Sequence, residues 1–168
     1  MRKQIFKQNK NKGFTLVEIL VGVSIFVLVT STAVGLIMTS VQGQRKAIAI
    51  QEAQENGRYL LQFMAKEIRM SQVNTLDGQT QILNIDHSDF GNIIYRITNG
   101  QVLRNNQPIS SDNIQVDGWF YIDGRSEDDH QQPKVTITLK IEKTGQKSEE
   151  ATSIILQTTT SQRNLDLD

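Results

Sequence analysis

Apolar residues are concentrated in one block near the start of the chain, Phe14–Val41, which is predicted to form a helix that crosses a membrane. About 20 helical residues, at ~1.5 Å rise each, cover a hydrocarbon layer ~30 Å thick. Many of these residues are β-branched, but a backbone in lipid satisfies its hydrogen bonds only in a helix or a closed barrel. Between Lys12 and Arg45 the only charged side chain is Glu18.

From Gln42 the chain becomes polar while apolar residues continue at helical spacing, which predicts one helix from Phe14 to about Ser71. Steps of three and four residues place one set of side chains on a buried face. That set is Ile50, Ala53, Gly57, Leu60, Leu61, Met64 and Ile68. The charged set is predicted to face water or neighbouring subunits: Arg45, Lys46, Glu52, Glu55, Arg58, Lys66 and Arg69.

The remainder of the chain has the patterns of β-strands. Asn99-Gly100 favours a type I′ turn, so the two segments beside it are predicted to form a hairpin. Alternation of apolar and polar residues from Val135 to Ile141 predicts a strand with one wet face. The predicted strands are Ile82–Ile85, Asn92–Thr98, Gln101–Arg104, Ile114–Asp123, Val135–Ile141 and Thr152–Thr159, and the loop Arg125–Pro133 is predicted to be exposed.

These elements predict an α+β fold in which a long N-terminal α-helix, membrane-spanning in its first half, packs on a small antiparallel β-sheet head of four or five strands. The predicted division is a basic leader at 1–13, a transmembrane helix at 14–41, an amphipathic helix at 42–71 and a β-rich head at 72–168.

Charge is distributed unevenly although the 168 residues have no net formal charge. Met1–Gly13 contains five basic residues and no acid, which leaves 13 basic against 18 acidic side chains in the rest of the chain. A basic segment before an apolar block stays in the cytoplasm, so the head is predicted to be extracytoplasmic. The acidic remainder gives no reason to expect direct binding of nucleic acid. Without cysteine, the head is held by its core rather than by disulfides.

Glu18 is a carboxylate near the start of an apolar block, where an acid costs roughly 2–3 kcal/mol at the centre of a membrane and less near the interface. A positively charged partner would offset this cost. A new α-amine on Phe14, formed by cleavage after Gly13, is the candidate.

The segment Gly13-Phe14-Thr15-Leu16-Val17-Glu18, after a short basic leader, resembles the class III signal of type IV prepilins and type II secretion pseudopilins. The resemblance implies that prepilin peptidase cuts between Gly13 and Phe14 and methylates the amine of Phe14. It also implies that Glu18 guides assembly, and that the first half of the helix becomes the filament core.

Two further segments resemble the J-type pseudopilins and the PilW-like minor pilins. These are Arg58–Ser71 and Gln157–Asn164. The resemblance implies a minor subunit near the tip of a filament, with a major pilin as the alternative. Its implied partners are other pilin subunits, the peptidase, an inner-membrane assembly platform, and membrane lipid before extraction.

Each of these residues also has a simpler interpretation. Glu18 can reach the membrane interface without a specific partner, Gly13 can be a flexible leader glycine, and Phe14 can be the first lipid-facing residue. An ordinary secretory cleavage after the small residues Thr30–Ala33 is a further alternative.

Other polar and aromatic groups give no catalytic, cofactor or metal site. His87 and His130 lack a second ligand at a suitable spacing and are interpreted as surface residues. Glu127-Asp128-Asp129 lacks the spacing of an EF-hand loop and is interpreted as an ordinary acidic loop, with calcium binding through its oxygens as the alternative. Trp119-Phe120-Tyr121 is interpreted as a core strand, with a binding patch as the alternative. The chain has neither a G-x-S-x-G elbow nor a glycine-rich phosphate loop, so it is not predicted to be an enzyme.

The leading hypothesis is a structural subunit of a type IV pilus or a type II secretion pseudopilus. Its precursor would be a single-pass inner-membrane protein, and its final location a surface filament or a periplasmic pseudopilus. Two alternatives remain open: an uncleaved membrane-anchored protein with an extracytoplasmic binding head, and a competence pseudopilin that assists DNA uptake.

Overall fold

A computed structural model describes residues 13–125, 132–143 and 153–163 of the chain. One helix, α1, extends from Leu16 to Arg69 and confirms the predicted long N-terminal helix. The chain divides into two compact units after Gln42, and the helix contributes to both.

The second part of α1 buries most of the predicted face against the head, whereas Ile50 is only partly buried. The buried helix residues are Ala49, Ala53, Gly57, Leu60, Leu61, Met64, Ala65, Glu67 and Ile68. Gly57 permits a close approach, because a Cβ at this position would collide with the side chains of Ile141 and Leu156. Most of the charged set is exposed as predicted, whereas Glu52 is half-buried and forms an ion pair with Lys143.

The described part of the head contains nine strands. They are β1 Ser71–Val73, β2 Gly78–Thr80, β3 Ile82–His87, β4 Gly91–Thr98, β5 Gln101–Arg104, β6 Gln107–Pro108, β7 Ile114–Asp123, β8 Lys134–Lys143 and β9 Ser153–Ser161. They form two antiparallel sheets, with the orders β1-β3-β4-β5-β6 and β2-β7-β8-β9. The predicted α+β fold, a long helix packed on antiparallel β-structure, is confirmed. The strands form two sheets, with more strands than the four or five predicted.

All six predicted strands are present, and the three that were not predicted are two or three residues long. Such short segments have no measurable alternation, and their conformation is set by pairing with longer strands. Ser71–Val73 pairs with β3, and Gly78–Thr80 pairs with β7. The second sheet exists as a separate layer because β7 pairs with β8 and β2 rather than with β5.

The β4–β5 hairpin confirms the predicted turn. Asn99 and Gly100 both have positive φ, 52° and 76°, as a type I′ turn requires. A similar turn at Asn105 and Asn106, with φ of 49° and 66°, joins β5 to β6. Asn tolerates this backbone region better than other residues with a side chain.

The hydrophobic core lies between α1 and both sheets. Its largest buried side chains come from the helix (Leu60, Met64, Ile68), from the first sheet (Leu83, Ile85, Ile93, Tyr95, Ile97) and from the second sheet (Phe120, Ile122, Ile137, Leu139). One core therefore joins the helix to the head without disulfides.

Candidate processing and assembly segment

The peptide bond between Gly13 and Phe14 precedes the first turn of α1. Residues 13–15 are exposed and are neither helical nor extended in a sheet. Thr15 caps the helix, since its carbonyl oxygen and its Oγ1 accept hydrogen bonds from the amide of Glu18 at 3.1 and 3.3 Å. The cap separates an exposed, non-helical segment from the helix that follows.

Glu18 lies in the first turn of α1 and is exposed to the surroundings. The positive end of the helix dipole favours a carboxylate at this position. No residue of the described chain forms an ion pair with Glu18. Its carboxylate is thus available for a partner outside the described residues.

The first part of α1 has the length and composition of a membrane span, and the apolar window that qualifies is not buried by the protein. Five of its hydroxyl groups are satisfied within the helix, because each of them donates to the carbonyl oxygen four residues earlier at 2.7–3.0 Å. These residues are Ser24, Thr30, Ser31, Thr32 and Thr39. The outer surface is therefore suited to lipid or to the apolar helices of other subunits.

A buried charged cluster fixes the end of α1 to the first sheet. Arg104 donates to Oε2 of Glu67 from Nε at 3.1 Å and to Oε1 from Nη2 at 3.0 Å, and the Tyr95 hydroxyl also donates to Oε2. Burial, together with the adjacent Glu67 carboxylate, raises the pKa of the Tyr95 phenol. The hydrogen bond with Glu67 raises the pKa of Arg104. The cluster binds helix to sheet and was not predicted from the sequence.

Glu67 could have been found from the helical pattern. It lies three residues after Met64 and directly before Ile68, which places it within the buried arc. Its partners follow at distances of 28 and 37 residues along the chain, and no spacing rule connects them.

The interpretation of His87 as a surface residue is wrong. His87 is only 5% exposed, because it lies on the same buried face of β3 as Leu83 and Ile85, and its ring lies against Phe90 with centroids 4.8 Å apart. Its Nδ1 accepts a hydrogen bond from the amide of Asp89 at 3.1 Å.

His130 and the acidic triplet at 127–129 lie outside the described residues. Within the described ranges, no group of three His, Cys, Asp or Glu side chains is arranged to hold a metal ion.

The aromatic strand β7 alternates between core and surface. Phe120 is fully buried, as interpreted, whereas Trp119 and Tyr121 are 41% and 50% exposed. The core interpretation is therefore wrong for these two side chains, since neighbouring strand residues point to opposite faces.

Comparison with known proteins gives one family match, and it covers the segment analysed above. Residues 8–34 match the family model described as "Prokaryotic N-terminal methylation motif". Neither the curated proteins nor the solved structures contain a match to the chain. The motif, with the membrane-length helix and the α+β head that follow it, supports assignment of the chain to the prepilin family and is typical of an inner-membrane-anchored structural subunit.

Proposed function

We propose that this protein is a prepilin-type subunit that is cut between Gly13 and Phe14, methylated at the amine of Phe14, and assembled through its N-terminal helix into a type IV pilus or a type II secretion pseudopilus. The observation that carries the proposal is the match of residues 8–34 to the methylation motif. The exposed, non-helical bond before the Thr15 cap and the apolar surface of the helix agree with processing followed by helix-to-helix assembly.

Glu18 has a specific role in this proposal. The carboxylate of one subunit pairs with the methylated amine of Phe14 on its neighbour. A singly methylated amine stays protonated near neutral pH, so the modification preserves the pair. An unpaired charge in an apolar bundle costs several kcal/mol more than a paired one, so the pair selects one register between subunits.

We assign the subunit to the minor, tip or initiation type. Support for this assignment comes from the resemblance of Arg58–Ser71 and Gln157–Asn164 to J-type and PilW-like subunits. In the structure, Arg58–Arg69 forms the last turns of α1, which pack on the head. In a minor subunit this region attaches the end of the helix to the head.

The intact mass of the protein extracted from its native membrane tests the processing step. The expected chain begins at Phe14 and carries one added methyl group. A mature chain that retains residues 1–13 while filaments form normally would contradict the proposal.

Glu18→Gln tests the assembly step. The variant should insert and be cleaved as usual but should enter filaments at least tenfold less efficiently, a loss equivalent to about 1.4 kcal/mol. Glu55→Gln is the matched control, since Glu55 is an exposed acid on the same helix but outside the apolar block. Equal incorporation of both variants would remove Glu18 from its assigned role.

A second candidate function is an uncleaved anchor with a binding head, and the exposed rings of Trp119 and Tyr121 favour it. Exposed aromatic side chains are enriched at binding surfaces. An intact mass that begins at Met1 would support this function instead.

A further inference from the structure

A groove runs along one side of the head, between the last turns of α1 and strand β9. It consists of two adjoining clefts of about 470 and 520 Å³, which share Lys66 and Arg69. We call it the basic groove. Its helix side presents Arg58, Gln62, Lys66 and Arg69, and its strand side presents residues 156–158 and 161–163.

The basic groove is positively charged although the chain after the leader is acidic. Arg58, Lys66, Arg69 and Arg163 line the two clefts, and no acidic side chain of the described residues does so. These four cations take part in none of the ion pairs that the described residues form. Glu67, the nearest acid along the helix, is buried and already bound to Arg104. The groove is therefore complementary to a negatively charged partner.

Strand β9 also presents unpaired backbone groups beside the basic groove. It is the edge of the second sheet in the part of the chain that the structure describes. The amide of Gln162 donates to the carbonyl oxygen of Pro133 at 3.0 Å, and Lys134 lies opposite Ser161. In an antiparallel pair, alternate residues bond to the partner strand, so Ile155, Gln157 and Thr159 direct their backbone N–H and C=O groups toward the open side.

We propose that the basic groove binds an extended, acidic segment of a partner protein, which adds to β9 as a fifth strand of the sheet. The open edge supplies main-chain hydrogen bonds, as in other cases of strand addition. Side chains of the added strand alternate between faces, so acids at every second position would lie beside Arg58, Lys66 and Arg69. The open edge favours a polypeptide over a nucleic acid, because a phosphate backbone cannot extend a β-ladder.

The proposal concerns the head and does not depend on processing at Gly13. It can therefore be tested on the full, uncleaved chain in detergent, and its failure would leave the proposed function unaffected. The probe is an eight-residue synthetic peptide in which aspartate alternates with threonine or valine. Its control has asparagine in place of each aspartate.

Fluorescence anisotropy should show binding of the acidic peptide, at least about tenfold weaker binding of the asparagine peptide, and weakening with added salt. Arg58→Glu combined with Lys66→Glu should weaken binding of the acidic peptide by about tenfold or more. Arg45→Glu with Lys46→Glu is the matched control, because it reverses an exposed Arg and Lys on the same helix outside the groove. Equal binding by the two double variants would overturn the proposal.

Strand addition is tested separately by N-methylation of alternate amides along one edge of the peptide. Blocking the edge that faces β9 should abolish binding, whereas blocking the opposite edge should leave it unchanged. A loss of less than twofold with both methylated peptides would overturn strand addition. Binding of a short DNA duplex that Arg58→Glu/Lys66→Glu abolishes, with no binding of the acidic peptide, would overturn the choice of a polypeptide partner.

Discussion

At the scale of single residues, the Glu67 carboxylate attaches the end of α1 to the first sheet. It accepts hydrogen bonds from two nitrogens of Arg104 and from the Tyr95 hydroxyl. Glu67→Ala should lower the free energy of unfolding by about 3 kcal/mol, because it leaves the buried Tyr95 hydroxyl and the partly buried Arg104 cation without their partner. Urea denaturation of the full chain in detergent measures the loss.

Glu55→Ala is the control for this measurement, since an exposed acid on the same helix should change stability by less than ~0.5 kcal/mol. If Glu67→Ala and Glu55→Ala lowered the free energy of unfolding by similar amounts, the hydrogen bonds of Glu67 would make no specific contribution to stability.

The raised pKa of the Tyr95 phenol predicts that the folded state becomes less stable at alkaline pH. Its pKa is raised in the folded protein, while the unfolded chain ionises near the ordinary value of 10.0. The unfolded state therefore loses a proton first, and the stability contributed by Tyr95 is complete below pH ~10 and declines above it. Tyr95→Phe should make stability decline less steeply between about pH 10 and 11, by up to ~1.4 kcal/mol per pH unit.

Tyr121→Phe is the comparison, because it removes the hydroxyl of a half-exposed tyrosine that lies outside the Glu67 cluster. Identical slopes for Tyr95→Phe and the unchanged protein would show that the phenol is not protected from ionisation by the fold.

Residue-level prediction from the sequence depends on local signals. The family match covers the segment that contains Gly13, Phe14 and Glu18, and their individual roles stay predictions. The role of Glu67 was missed because its partners come from β4 and β5, and their position is decided by the fold. His87 was misplaced for a different reason: it continues the buried alternation of Leu83 and Ile85, and that local signal was available in the sequence.

At the scale of elements, the pairing of β7 with β8 requires a residue without a side chain. A Cβ at Gly118 would collide with the backbone carbonyl oxygen of Thr138, which a side-chain rotation cannot relieve. Gly118→Ala should therefore destabilise the head by about 1–3 kcal/mol, or more if the strands separate. Thermal unfolding followed by circular dichroism measures this change.

Gly43→Ala is the counterpart within the helix. A Cβ at Gly43 meets nothing within 4 Å, and alanine forms helix more readily than glycine by roughly 1 kcal/mol. It should leave stability unchanged or raise it. Destabilisation by both substitutions would mean that loss of glycine, rather than the contact between strands, is the cause.

Elements were predictable in proportion to their length. The helix and the strands of ten residues, β7 and β8, have enough repeats for their period to be read. Strand β6 has only two residues and comes directly after the turn at Asn105 and Asn106. Both residues have positive φ, but Asn-Asn predicts such a turn less clearly than Asn99-Gly100 does. The division into two sheets could not be predicted, because it depends on which strands pair and not on where they lie in the chain.

At the scale of the whole molecule, the core belongs entirely to one of the two units. Every buried hydrophobic side chain of the described residues lies at Ala49 or later, and the apolar window of the first unit is not buried at all. A chain that starts at Gly43 should therefore fold in water without detergent, with an unfolding free energy within ~1 kcal/mol of the full chain. Circular dichroism and urea denaturation compare the two.

A chain that starts at Arg58 is the informative contrast, because it lacks the buried residues Ala49, Ala53 and Gly57 while keeping the rest of the core. Truncation of buried packing on this scale should lower stability by about 2–5 kcal/mol. If the chain that starts at Gly43 also failed to unfold cooperatively, the apolar first part of α1 would be needed to stabilise the head. It could not then leave the bilayer for a filament as an independent element, so the proposed assembly would require the head to refold during extraction.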